Sequence, residues 1–200
     1  MAATKKGALK RARWIVHLDE SGFSQRPSVV RTWAPRGQTP VHKSAFNWKR
    51  LSAIGALGVA PDLMRVRVFV SLRPGSVDQQ AVVSFLRSLR RHLRVPVLLV
   101  WDRLGAHIGR ATREYLASQR HWLEVEWLPP YAPELNPVEY LWSYLNRTDL
   151  ANYAPDDLYA LEAQVKRSSR RVRRRGELPF AFLKHSGLYP ELSKVLCETQ

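Results

Sequence analysis

Apolar and polar positions follow two rhythms along this chain, and the changes of rhythm divide it into elements. Residues 14–19, Trp-Ile-Val-His-Leu-Asp, are apolar and β-branched enough for a buried strand that stops at Glu20-Ser21-Gly22, which places Asp19 at its C-terminal end. A stretch punctuated by Pro and Gly follows, in which Val29 to Trp33 reads as a short strand and Ala34-Pro35-Arg36-Gly37 as a turn, together a small hairpin arm. Leu51 to Val59 and Met64 to Leu72 read as an antiparallel pair joined at Ala60-Pro61-Asp62, the second alternating Val66, Val68 and Val70 with Arg65, Arg67 and Phe69. The period then changes. Ser76 with Gln79 forms a capping box, and Val82, Phe85, Leu86, Leu89 and Leu93 continue as the apolar stripe of a helix packed on the sheet. Val95 to Trp101 is almost purely apolar, the pattern of a strand covered on both faces, and it ends at Asp102. A helix from about Arg110 to Gln119, a strand from about Trp122 to Leu128, a Pro-rich turn, a helix starting near Asn136-Pro137 and a last, polar helix over roughly Asp156 to Arg175 complete the order. Three largely antiparallel strands followed by two strands, each preceded by a helix, predict an α/β fold: a mixed five-stranded sheet flanked by helices.

Composition narrows the partners. With 200 residues and 45% apolar content the chain suits one globular domain, residues 14–150, preceded by a basic tail (1–13) and followed by a helical extension (151–200). No apolar run approaches the roughly 20 residues that span a bilayer, so no membrane partner is expected and an intracellular location is. The single cysteine, Cys197, excludes an intrachain disulfide and a thiolate cluster, so any metal is held by oxygen or imidazole. The 32 Lys and Arg against 17 Asp and Glu leave a net charge of +15, a field that attracts polyanions and points to nucleic acid.

Asp19 and Asp102 both close buried strands, where two carboxylates side by side raise each other's pKa unless a cation neutralises them. Carboxylates are hard ligands suited to Mg²⁺ or Mn²⁺, and three acids suffice for a site with two divalent ions. Glu139, in the first turn after Asn136-Pro137, is the third candidate. Each acid also has a local structural role open to it. Asp19 and Asp102 cap the following turn, and Glu139 completes a capping arrangement with Asn136 by binding a backbone N–H. His107, near the second acid, orients a phosphate or a carboxylate, or is a satisfied core histidine. Trp33, Trp101, Tyr131 and Trp142 stack on extruded bases or fill the core, and Lys166, Arg167, Arg170, Arg171, Arg173, Arg174 and Arg175 track a DNA backbone or form a solvated helix face.

Several ordered segments carry a resemblance. They are His17-Leu18-Asp19-Glu20 followed by Phe23, Thr32-Trp33-Ala34-Pro35-Arg36-Gly37 ahead of Pro40, Gly55-Ala56-Leu57, Trp101-Asp102 with His107, and the run Leu-Pro-Pro-Tyr-Ala-Pro-Glu-Leu-Asn-Pro-Val-Glu-Tyr-Leu-Trp from Leu128 to Trp142. Over nearly its whole length the sequence resembles the DDE transposases of bacterial insertion sequences, in the branch related to the eukaryotic mariner elements. The resemblance implies a ribonuclease H-like fold and two-metal-ion cleavage and strand transfer at transposon ends, with Mg²⁺ as cofactor and Mn²⁺ as a substitute. By position, Asp19, Asp102 and Glu139 match the three catalytic, metal-binding acids. Glu20 recurs beside the first acid in the family, but adjacent strand residues face opposite ways, so it stays outside the catalytic set. The implied partners are transposon ends and target DNA, bound by a homodimer assembled on DNA in the bacterial cytoplasm and nucleoid.

Two departures stand out. Arg103 follows the second acid where the family commonly has Asn, and only 18 residues precede Asp19, too few for the N-terminal helix-turn-helix of full-length relatives. The chain is therefore expected to be the second reading frame of a split gene or a truncated remnant. The competing functions are a non-catalytic DNA-binding remnant and another ribonuclease H-like nuclease.

Overall fold

A computed structural model describes residues 7–8, 11–26, 28–38, 41, 49–129 and 133–190. Strands β1 (Trp14–Ser24), β2 (Arg50–Val59) and β3 (Val66–Pro74) lead into helix α1 (Gln79–Leu93), strand β4 (Val97–Trp101), the short α2 (Gly105–Ile108), α3 (Arg110–Ser118) and β5 (Leu123–Trp127). Helices α4 (Val138–Arg147), α5 (Leu158–Arg174) and α6 (Glu177–His185) follow. The sheet order is β3-β2-β1-β4-β5, antiparallel across β1, β2 and β3 and parallel across β1, β4 and β5. This is the mixed five-stranded sheet flanked by helices that the patterning predicts. No helix among the described residues is long and apolar enough to cross a membrane.

The two-residue period of β1 sorts its side chains between two cores. Val16 and Leu18 join the α1 stripe of Val82, Phe85, Leu86, Leu89 and Leu93 on one face, with Leu99 and Trp101 of β4. Ile15 faces the other way, with Leu98 and Val100, toward Leu183 of α6 and Tyr189. The helical extension belongs to this second face: Leu161, Val165 and Val172 of α5 pack with Val138, Leu141, Trp142 and Leu145 of α4. The hydroxyl of Tyr189 lies 2.7 Å from Nε2 of buried His17, which ties the segment after α6 to the central strand. Of the basic N-terminal tail, Arg11 and Arg13 both pair with Glu124.

Four local expectations are corrected. β1 does not stop at Asp19 but runs on to Ser24, because β2 keeps pairing with it as far as Arg50, whereas the β4 ladder stops at His17 opposite Val100. Ser76 does not cap α1. Asp78 does, its carboxylate accepting from the Ala81 N–H at 2.8 Å and from Arg73 at 2.9 Å, and Gln79 instead accepts from the Ala111 N–H at 2.9 Å. Val29 to Trp33 forms no strand, since among the described residues no neighbouring strand offers it a ladder; a bridge joins Ser28 to Ala151, and Asn152 bonds both the N–H and the carbonyl of Val30. The expected turn is present, with Gly37 at φ +84° and Gln38 N–H bonded to the Pro35 carbonyl. Finally, the helix over Asp156–Arg175 is not the last. α6 follows it, with Pro179 in its first turn, where a missing N–H costs nothing.

Candidate active site

The first acid is set by a glycine opposite it. Asp19 pairs across the sheet with Gly55, and a Cβ added at Gly55 would fall 2.5 Å from two ring carbons of Trp142. The absent side chain therefore leaves the space that Trp142, on α4, fills over β1. Its indole N–H donates to Oδ2 of Asp19 at 2.9 Å, and its ring meets Phe23 edge-on at 5.9 Å. Asn136 fastens the same helix to the same strand. Its Nδ2 donates to the Leu18 carbonyl at 3.1 Å while its Oδ1 accepts from the Val138 N–H at 3.2 Å. Gly55→Ala should thus cost about 1–3 kcal/mol in urea denaturation, through overpacking against Trp142. In a Trp142→Phe background, where the clashing ring atoms are gone, the added cost of Gly55→Ala should be much smaller. A stable Gly55→Ala single variant would show that the ring does not need this space.

Asp19 and Asp102 stand level at the end of the parallel ladder, each two positions past the last pair, His17 with Val100. Asp19 turns by strand parity toward the α4 face, where Glu139 lies in the first turn of α4, and Asp102 stands just past the end of β4. The three acids are brought close enough to act on one another. Burial, then the charges of Glu139 and Glu20, push the Asp19 carboxyl up to about 8, with Asp102 adding to the rise and the Trp142 N–H opposing it. Burial and the charge of Asp102 likewise raise Glu139. Among the described residues Glu139 accepts no backbone N–H, so the capping alternative has no bond to support it.

Asp102 is held differently. Its Oδ1 accepts from Nδ1 of His107 at 2.8 Å and from the Leu104 N–H at 3.0 Å, and the His107 bond, ahead of burial, leaves its pKa below the usual value. His107 is fully buried, its ring stacked on Trp101 with centroids 4.1 Å apart, and its Nε2 lies 2.7 Å from Oε1 of Glu20. Burial works against the charged imidazole, but the bonds to Asp102 and Glu20 outweigh it and carry His107 to about 9. Glu20 does face away from Asp19, as strand parity requires, yet through His107 it reaches the second acid. Nothing in the sequence signals that contact, because 87 positions separate the partners. Trp142 was legible as a neighbour of Glu139, three positions on along the same helix.

The other candidates divide. Trp101 and Trp142 are core, Trp33 is fully exposed, and Tyr131 lies outside the described residues. The guanidinium of Arg103 sits over the ring of Trp127, 5.6 Å from its centroid. The basic cluster is exposed: Lys166 pairs with Glu162 and Arg171 with Asp149, Arg173 bonds the Val68 carbonyl, and Arg167, Arg170, Arg174 and Arg175 form no ion pair among the described residues.

Comparison with known proteins agrees with this geometry. The chain is 33% identical over 100 residues to the transposable element Tc3 transposase of Caenorhabditis elegans, an alignment spanning 49% of this chain and 29% of that protein. Its fold is similar to the Mos1 mariner paired end complex with Mn (TM-score 0.63, 19% identity, 96% of this chain and 58% of that one). It is similar also to the Mos1 strand transfer complex (TM-score 0.60, 20% identity, 93% and 59%) and to the Mos1 transposase catalytic domain with raltegravir and Mg (TM-score 0.51, 17% identity, 93% and 91%). The chain thus spans less than a third of the Tc3 protein and about six-tenths of the Mos1 chains in the DNA complexes, while matching nearly all of the isolated Mos1 catalytic domain. The sheet is ribonuclease H-like. The family model described as DDE superfamily endonuclease matches residues 14–162, from the first residue of β1 into α5 and across Asp19, Asp102 and Glu139, and the chain belongs to that family.

Proposed function

We propose that this chain is the catalytic domain of a DNA transposase, cutting at transposon ends and joining the freed 3′-hydroxyl to target DNA. The observation that carries this reading is the placing of three acids together, Asp19 and Asp102 at the end of the parallel ladder and Glu139 in the first turn of α4, close enough for their charges to act on one another. The half-buried carboxyl of Asp19 shares its surroundings with Glu139, Glu20 and Asp102, and among the described residues neither Asp19 nor Glu139 forms an ion pair with a Lys or Arg. A cation bound beside these acids would favour their charged forms. Asp19, Asp102 and Glu139 would hold two Mg²⁺ ions, with Mn²⁺ as a substitute, through hard carboxylate oxygens. When bound, such a pair of ions activates the attacking water or hydroxyl and stabilises the departing oxygen.

The chain's own residues do the rest. Trp142 fixes one oxygen of Asp19, Asn136 fixes the start of α4 against β1, and Glu139 projects from the first turn of that helix. Arg167, Arg170, Arg174 and Arg175, near or just beyond the end of α5, offer phosphate contacts that hold DNA without reading its sequence. The Mos1 chains that share this fold are seen in a paired-end complex with a transposon end and in a strand transfer complex, and on that likeness transposon ends and target DNA are the substrates proposed here, with a homodimer assembled on DNA as the proposed working assembly. In a cell that assembly works on the bacterial nucleoid. The test is conversion of supercoiled plasmid to nicked circles by the purified chain. Nicking should require Mg²⁺ or Mn²⁺ and stop on chelation; undiminished nicking under excess chelator would refute the metal assignment.

A further inference from the structure

We propose that Glu20 and His107 are positioning residues for the second acid, holding one oxygen of Asp102 so that the other is left for a metal ion. The proposal rests on the reading of Asp102 as a metal ligand. Asp102 follows the last residue of β4 and its side chain is half exposed, so nothing in its own burial fixes its rotamer. The fixing comes from hydrogen bonds, and they all fall on one side of the carboxylate. Oδ1 accepts from Nδ1 of His107 at 2.8 Å and from the Leu104 N–H at 3.0 Å. Oδ2 has no bonded partner among the described residues. A carboxylate held in this way presents a single oxygen.

His107 can act as the clamp because it is itself immobile. Its ring is fully buried and stacks on Trp101, with the planes 17° apart, and its backbone N–H is bonded to the Leu104 carbonyl at 2.8 Å. The second ring nitrogen determines how the ring is turned. Nε2 lies 2.7 Å from Oε1 of Glu20, while Nδ1 lies 2.8 Å from Oδ1 and 3.0 Å from the carbonyl oxygen of Asp102. Both ring nitrogens are thus engaged, and the orientation of the ring is fixed at both ends. This also gives Glu20 a reason to stand on the α1 face of the sheet. Its side chain is only 12% exposed, and among the described residues His107 is its single ion-pair partner. Carboxylate–histidine pairs that orient a ligand in this manner typically change metal affinity or activity by about 10–100-fold when broken.

The experiment measures Mn²⁺ binding by electron paramagnetic resonance and plasmid nicking, both on the 200-residue chain at fixed pH, for Glu20→Ala, Glu20→Gln, His107→Ala and Asp102→Asn. Glu20→Ala and His107→Ala should weaken Mn²⁺ binding and lower kcat by about 10–100-fold, with KM for DNA unchanged. Glu20→Gln keeps an oxygen that accepts the Nε2–H and should retain most of both. If His107→Ala loses its cooperative melting transition, the contrast between Glu20→Ala and Glu20→Gln decides. Wild-type Mn²⁺ binding and kcat in the Glu20→Ala chain, with loss of both in Asp102→Asn, overturns the positioning role and leaves the metal reading standing. Wild-type Mn²⁺ binding in Asp102→Asn overturns the metal reading and the proposal with it.

Discussion

Asp19→Asn should abolish metal-dependent nicking and, at the same time, make the metal-free chain more stable. The loss of activity follows from the ligand role. An ion that stabilises transition-state charge is worth several kcal/mol, and about 4 kcal/mol corresponds to a thousandfold in rate. The gain in stability follows from the carboxyl's pKa, which burial first, and then Glu139 and Glu20, raise from 3.8 to about 8. An unfolded chain ionises this group above about pH 4, whereas the folded chain keeps its proton until about pH 8. Folding thus takes up a proton throughout that window, and the stability of the metal-free protein falls as pH rises through it. The cost is absent below pH 4 and complete above about pH 8.

Asparagine removes the proton uptake but keeps an oxygen for the Trp142 N–H. In chelator the variant should match the parent at about pH 4 and exceed it by several kcal/mol at pH 8, an increase on the order of ten degrees in melting temperature. A smaller slope should remain, because Glu139 is also raised, by burial and by Asp102. Mg²⁺ should raise the melting temperature of the parent at pH 8 and leave that of the variant nearly unmoved. Thermal melts across pH, with and without Mg²⁺, together with plasmid nicking, check all parts. A variant that nicks within tenfold of the parent, or melts with the same pH dependence, would sink the assignment of Asp19.

The sheet was legible where apolar periodicity alone determines structure. The all-apolar run ending at Trp101 became β4, buried along its whole length, and the stripe from Val82 to Leu93 became the buried face of α1. Errors arose where a partner determines the outcome. A strand ends where its ladders end, and β1 has two ladders of different length, so no local feature at Glu20-Ser21-Gly22 could mark the stop. Val29 and Val30 have a strand former's side chains, but they lie exposed beside an isolated bridge. The same distinction holds at the site. Asp19 and Asp102 could be raised as candidates from the strand pattern and Glu139 from the helix start, and the family resemblance joined the three. Their supports could not, because Gly55 matters only when Trp142 lies over it, and Glu20 only when His107 lies under Trp101.

Binding of the isolated chain to duplex DNA should weaken by hundreds-fold when monovalent salt rises fourfold, with little preference for sequence. The chain carries +15, and Arg167, Arg170, Arg174 and Arg175 of the α5 region stand exposed and form no ion pair among the described residues, which leaves them available to phosphates. Each phosphate neutralised contributes roughly −0.9 to the slope of log K against log salt, so about five contacts give a slope between −4 and −5. Phosphate contacts fix position on the duplex and carry no sequence information, whereas each good base contact discriminates by about 1–3 kcal/mol. Replacing Arg167, Arg170 and Arg174 by Ala should flatten the slope by about two to three if all three meet phosphates, and should weaken both duplexes equally. The measurement is a fluorescence-anisotropy titration at several salt concentrations. One duplex carries a transposon terminal repeat and the other its scrambled sequence. A hundredfold preference for the repeat at physiological salt would mean that this domain reads base edges itself. A slope near zero would mean that its positive charge is spent on the fold rather than on DNA.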